Sequence, residues 1–235
     1  MNTIIENLRS ELISNADEKV RKSGERFFRE AVQLYGIKSA VVIKMGKEHY
    51  SHIKDKGKTE IFSLCEELWR SGIMEESFIA CNWSYYVHKN YEPSDFEVFS
   101  RWVNTYVSNW ASCDTLCNHS VGTLVEMYPD LLSGLKNWAK SEKRWVKRAA
   151  AVSLVVPARK GKFTEEILEI ADILLADSDD MVQKGYGWML KAASQAHLEK
   201  IFDYVMSRKA FMPRTSLRYA IEKMPSELKA KAMAK

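Results

Sequence analysis

The chain has 235 residues, 46% hydrophobic and 28% charged, with 35 Lys and Arg against 31 Asp and Glu. That length can bury a real core, and that composition excludes a disordered chain. No apolar run reaches the roughly 20 residues of a membrane span, and Met1-Asn-Thr-Ile-Ile-Glu-Asn-Leu-Arg9 lacks a secretion signal's cationic start and apolar stretch, so a cytoplasmic protein that does not engage membranes is expected.

Helical punctuation runs the length of the chain. Amphipathic spacing and start signals predict helices over 2–14, 16–35, 38–48, 59–71, 75–89, 95–107, 110–127, 130–140, 143–156, 164–176, 179–194, 197–208, 214–223 and 226–234. Ser94-Asp-Phe-Glu97 after Pro93 is the spacing of a capping box. Thr164-Glu-Glu, Ser178-Asp-Asp and Ser226-Glu are further starts, with acids where the helix dipole favours them. Pro129, Pro213 and Pro225 sit where a missing N–H costs nothing. The one β-like run, Ala40-Val-Val-Ile43, lies inside a helical pattern, and Lys54-Asp-Lys-Gly-Lys58 reads as a polar turn rather than a domain boundary. One all-α domain over 1–235 is expected. Helix pairs recurring every 35–45 residues fit a two-helix solenoid, although a compact bundle also fits that spacing. A solenoid would offer a concave binding surface.

Four cysteines (Cys65, Cys81, Cys113, Cys117) are too scattered for a disulfide framework. Cys113 and Cys117 would share a helix face near His119, but a structural zinc needs four ligands, so free thiols and no metal or cofactor are expected.

Charge is unevenly spread. Net charge is −2 over residues 1–100, +5 over 101–160, −6 over 161–180 and +7 over 181–235. A basic second half broken by one acidic stretch suits a polyanion such as nucleic acid, and it also suits an ordinary solvated surface.

Three helices carry the functional reading. Trp110 and Asp114 stand four apart, which places an indole and a carboxylate on one helix face. Ring face and carboxylate both attract positive charge, so the pair suits a flat cation; a buried tryptophan beside a first-turn acid is the plainer alternative. In 143–156, Trp145, Ala149, Val152 and Val156 form an apolar stripe, with Arg144 and Arg148 to one side and Lys147 opposite. Arg148 is expected at the edge of the buried face. In 179–194, Lys184, Trp188 and Lys191 share a stripe that is poor for a core and good for a sugar–phosphate backbone. Trp69, Trp83, Trp102 and Trp138 are assigned to packing.

Trp110-x-x-x-Asp114, Arg144-Trp145-x-x-Arg148-Ala-Ala150, Gln183-Lys-x-x-Gly-Trp188 and Arg218-x-Ala-Ile221 together resemble the AlkD-like DNA alkylation-repair proteins. The resemblance is faint before residue 60, visible at Glu67-Leu-Trp69 with Glu75-Glu76, and clearest from Trp102 to Ser194. It implies a curved right-handed superhelix of HEAT-like helix pairs with a basic concave cleft. It also implies excision of cationic N3- or N7-alkylated purines from double-stranded DNA, without cofactor or obligate protein partner. By that likeness Asp114 is the catalytic carboxylate, Trp110 and Trp188 line the nucleotide-facing cleft, and Arg148 completes the site. Arg144, Lys147, Lys184, Lys191 and Arg218 are the expected phosphate contacts. Three positions depart from the family pattern: Ala111 replaces an acid, Phe27 an aromatic hydroxyl, and Val156 a lysine found in some members. A non-catalytic binder of bent or branched DNA and a protein-binding helical scaffold are the alternative functions.

Overall fold

Glu75 explains where the first predicted helix boundary fails. In the computed structural model, which describes residues 3–234, its buried carboxylate accepts the backbone N–H groups of Tyr35 (3.1 Å), Gly36 (2.8 Å) and Ile37 (3.1 Å). These bonds hold the segment before the third helix in an irregular path. Helix α2 (Glu18–Phe27) therefore ends at Phe27 instead of running to 35, and Phe28 turns extended. Gly36 is required there: its φ is +93°, and a Cβ would lie 2.3 Å from the Asp17 carbonyl oxygen.

The chain divides into two compact units, Met1–Leu116 and Cys117–Lys235. The first holds α1 (Thr3–Ser14), α2, α3 (Ser39–Ser51), α4 (Lys58–Arg70), α5 (Met74–Tyr86), α6 (Asp95–Thr105) and α7 (Trp110–Leu116). Helix α5 packs against α3, α4 and α7. Ile61, Leu68, Ile79, Trp83, Phe99 and Trp102 are fully buried among them. The Trp83 indole N–H donates to the Gly46 carbonyl at 2.8 Å, and the Trp102 indole N–H donates to Glu66 at 3.1 Å, so both buried rings have their polar atom satisfied. Trp69 and Trp138 are buried as well, so all four tryptophans assigned to packing do pack.

The second unit begins with a π-helical turn, Cys117–Val121, followed by α8 (Gly122–Met127), α9 (Leu132–Ala139), α10 (Arg144–Val152), α11 (Val155–Arg159) and α12 (Thr164–Leu174). It closes with α13 (Asp180–Ser194), α14 (Leu198–Arg208), α15 (Arg214–Ala220) and α16 (Ser226–Met233). Helix α13 is the hub, packing against α10, α11, α12, α14 and α15. Its crossing with α15 depends on Gly187, where a Cβ would fall 2.6 Å from the Tyr219 Cβ and 2.9 Å from the Ser216 carbonyl oxygen. Among the described residues there is no strand, only the single bridge Gln33–Ile73. The fold is all-α, as the periodicity implied.

Several boundaries shift for identifiable reasons. The predicted helix 143–156 breaks after Val152. Pro157 has no N–H to donate to the carbonyl four residues back, and its ring clashes with that carbonyl in a regular helix. That carbonyl, of Ser153, instead lies so close to Gly122 that a Cβ there would be 2.6 Å away. The expected continuous helix 110–127 is interrupted by the π-turn. The capping box at Ser94 does not form. Ser94 has helical φ and ψ and makes no capping bond, while Asp95 accepts the Glu92 N–H at 2.8 Å and pairs with Lys58 at 2.9 Å. At α13 the cap is Asp179 rather than Ser178, accepting from the N–H groups of Met181 and Val182. Neither Thr164 nor Ser226 caps its helix through a side chain.

Candidate functional site

In the first unit, Trp110 opens α7 and Asp114 follows one turn later, both half-buried. Trp110 stands in an aromatic cluster. Its ring stacks on Phe28 with centroids 5.5 Å apart at 27°, and meets Phe27 edge-on at 5.8 Å and 63°. Phe27 and Phe28 are themselves perpendicular at 5.5 Å. Phe27 is 69% exposed, an unusual position for so apolar a ring. These three residues border a cavity of about 590 Å³ between α2, the segment after it, α5 and α7. Phe78 and Met74 extend its apolar wall, Glu75 lies in its lining, and Lys19, Ser23 and Lys38 also face it. Sequence reasoning found Trp110, noticed Phe27 and met Glu75 only within the Glu75-Glu76 pair of the resemblance, but missed Phe28 and the cavity. The consecutive phenylalanines at the end of a polar helix were the available signal.

Three backbone N–H groups share the Glu75 carboxylate, which fixes it within the lining of that cavity. Its neighbour Glu76 is also buried, held by Arg9 at 2.9 Å and by the Tyr35 hydroxyl at 2.7 Å. Burial, together with that hydrogen bond to Glu76, raises the pKa of the Tyr35 phenol, so the hydroxyl stays protonated as a donor.

In the second unit, Arg148 is only 5% exposed rather than at the edge of the buried face. Its Nη1 donates to the Met181 carbonyl at 2.6 Å, and its stem passes Gly185 of α13, where a Cβ would sit 3.3 Å from Arg148 Cγ. Trp145, expected in the core, is half-buried beneath the Arg144 guanidinium at 5.7 Å. Val156 is likewise half-buried, on α11 rather than on the stripe of α10.

Trp188 is half-buried on α13, together with Lys184 and Lys191, as their shared stripe implied. Four of the expected phosphate contacts already have carboxylate partners. Arg144 pairs with Asp179, Lys147 with Asp177, Lys184 with Asp180 at 3.1 Å, and Lys191 with Glu222 at 2.9 Å while lying 5.5 Å over the Tyr219 ring. Arg218, on α15, is exposed. The acidic stretch that divided the basic second half is thus the counter-charge of three of the expected phosphate contacts.

Cys65, Cys81, Cys113 and Cys117 are free and buried. Burial raises the Cys65 pKa, which disfavours its thiolate. Among the described residues no helix is long and apolar enough to cross a membrane.

The family model described as DNA alkylation repair enzyme matches residues 8–224. The chain belongs to that family. A solved structure titled "Predicted DNA alkylation repair enzyme from Enterococcus faecalis" is similar, with a TM-score of 0.81 and 13% identity over 90% of this chain and 98% of that one. A likeness at that identity establishes a common fold. No curated protein matches the chain. For a DNA alkylation repair protein, the departures fall at informative places. Phe27 touches Trp110, and Ala111 lines the same cavity, so two of the three surround one indole.

Proposed function

We propose that this DNA alkylation repair family member is a monofunctional glycosylase that hydrolyses the N-glycosidic bond of cationic N3- or N7-alkylated purines in double-stranded DNA, such as 3-methyladenine and 7-methylguanine. The observation carrying this reading is the placement of Trp110 and Asp114 one turn apart on α7, both half-buried, in a chain of that family.

The chemistry asks little of a general acid. An alkylpurine cation leaves as a neutral base when it takes the bonding electron pair, so no proton need be supplied. Positive charge then grows on the sugar. A carboxylate held near it stabilises the transition state more than the ground state. At ~4 Å and an effective dielectric near 20, one such charge contributes about 4 kcal/mol, roughly a thousandfold in rate. Water adds to the sugar carbon, and its proton passes to Asp114 or to solvent. In this reading the Trp110 and Trp188 faces attract the cationic nucleotide. Arg148, already fixed by the Met181 carbonyl, supports binding near the backbone. Arg144, Lys147, Lys184, Lys191 and Arg218 serve phosphates.

The test is release of free base from methylated duplex DNA under single turnover. Release of 7-methylguanine or 3-methyladenine, with uracil left in place, supports the glycosylase. A second reading is favoured by Phe27, which offers Trp110 a ring without a hydroxyl: a binder of bent or branched DNA without excision. Duplex or junction binding with no base released would select it.

A further inference from the structure

The corner between α14 and α15 carries the most exposed large apolar side chain among the described residues: the Phe211 ring is 71% exposed. A lone exposed ring is ordinary by itself, but this one is held out by a closed turn. The backbone N–H groups of Phe211 and Met212 both donate to the Arg208 carbonyl, at 2.9 and 3.1 Å. The Met212 side chain is buried, and Pro213 fixes the next φ. The α14 side of the corner is tied down as well: Arg208 pairs with Asp172 at 3.0 Å, and Lys209 donates to the Ala234 carbonyl at 2.8 Å.

No acid lies between Asp203 and Glu222, a stretch that holds Arg208, Lys209, Arg214 and Arg218. Arg214 and Arg218 stand one turn apart on α15, exposed and, among the described residues, in no ion pair. Helices α13 and α15 run side by side in the same direction, because Tyr186 meets Ser216 at 2.6 Å and, further along the chain in both, Lys191 meets Glu222 at 2.9 Å. Lys184 and Arg214 each precede the Tyr186–Ser216 contact by the same spacing and are therefore level. Lys184 is neutralised by Asp180, whereas the Arg214 charge has no counter-ion among the described residues.

A rigidly held apolar ring beside uncompensated guanidinium groups fits the minor groove of a duplex, where phosphates take the cations and the ring enters a base step. A lipid surface would ask for an apolar face several side chains wide, and the corner offers Phe211 alone, since Met212 is buried. An acidic peptide would engage the arginines and leave the ring in water. We propose that Phe211 is a wedge that enters one base-pair step of duplex DNA and kinks it, with Arg214 and Arg218 on the flanking phosphates. Flexible pyrimidine–purine steps are then preferred, because they unstack most readily. The wedge rests on the DNA-binding part of the proposed function, and it adds a bend and a step preference that the Trp110–Asp114 pair does not supply.

The experiment uses the full chain and two unmodified duplexes, so that excision plays no part. One has a central TA step, the other a stiff A-tract in its place, and both are end-labelled for energy transfer. Wild type is expected to bind the TA duplex about fivefold more tightly and to raise its energy transfer. Phe211→Ala, at an exposed position, should keep the wild-type Tm yet lose both the bend and the preference. Phe211→Leu, still an apolar wedge, should retain most of the bend. Arg214→Gln should weaken both duplexes alike and make the slope of log K against log salt shallower by about one. A bend that survives Phe211→Ala, or binding of the TA duplex without a bend, overturns the wedge while leaving DNA binding standing. Binding to phosphatidylglycerol vesicles that Phe211→Ala abolishes assigns the ring to lipid and overturns the wedge as well. Failure to bind either duplex overturns the wedge and the DNA-binding reading together. A bend lost in Phe211→Ala, in a protein that releases no methylated purine, supports the wedge and removes only the glycosylase.

Discussion

Lys147 on α10 and Asp177 in the loop before α13, thirty positions apart in sequence, form a partly buried ion pair. Arg144 of α10 likewise pairs with Asp179 of that loop, and Lys184 pairs with Asp180 one turn earlier on α13. A polyanion approaching these cations meets pairs of zero net charge, and must compete with carboxylates already in place.

It follows that removing the carboxylates strengthens DNA binding. Asp177→Asn and Asp180→Asn should each raise duplex affinity severalfold at low salt. With about four to six phosphate contacts, wild type should show a slope of log K against log salt of about −4 to −5, and each released cation should steepen it by about one. Anisotropy titrations across salt concentrations measure this. An unchanged slope in both variants would show that Lys147 and Lys184 do not reach phosphate.

Gly187 tests the hub of the second unit. A methyl at this position meets the Ser216 carbonyl and the Tyr219 Cβ, both part of α15 and not easily moved. Gly187→Ala should therefore destabilise by ~1–3 kcal/mol through overpacking. For a chain of this size each kcal/mol lowers Tm by roughly 2–4 °C. Calorimetry reads the shift, and a Tm equal to wild type would mean that α13 and α15 pack less closely than described.

Glu66 makes stability depend on acid. Its carboxylate accepts from Arg101, from the Trp102 indole and from the Tyr106 hydroxyl, tying α4 to the far end of α6. These bonds, that of Arg101 foremost, hold its pKa down at about 2, below the ordinary 4.5. A depressed folded-state pKa means that the stabilisation is complete above the unfolded value and is lost as pH falls from about 4.5 towards 2. Glu66→Gln should be clearly less stable than wild type at pH 7 in urea, with the difference shrinking between pH 4 and pH 2. A constant difference across that range would remove the ionised carboxylate from the account.

What was legible in the sequence followed physical locality. Helix existence depends on neighbours three and four residues apart, so α4, α5, α13 and α14 fall close to their predicted spans. The four structural tryptophans followed from the general tendency of large aromatic rings to be buried. What failed was set by distant partners. Nothing near residue 28 announces that Glu75 will bind three N–H groups and end α2. The burial of Arg148 arises from Gly185 and the Met181 carbonyl, on a helix that periodicity places on its own. The acidic stretch before α13 was visible as composition, but its role as counter-ion to Arg144 and Lys147 needed the third dimension. Likewise, Trp110 stood out as a candidate, whereas the cavity beside it is made by segments as distant in sequence as Lys19.

Asp114→Asn addresses the chemistry itself. The substitution keeps the side chain's size while removing the negative charge and turning one acceptor oxygen into an NH2 donor, so a loss reports the carboxylate's charge and proton acceptance rather than its bulk. If the carboxylate stabilises the oxocarbenium-like sugar, single-turnover excision of 7-methylguanine should fall roughly a thousandfold. Duplex affinity should hold or rise slightly, because one negative charge leaves a surface that meets phosphate. Trp110→Ala should lower the rate on cationic purines, and Arg148→Ala should weaken binding and turnover together. That division separates transition-state stabilisation from general affinity. Equal excision by wild type and Asp114→Asn would refute the electrostatic role, and a parallel loss of affinity would instead assign Asp114 to the fold of α7.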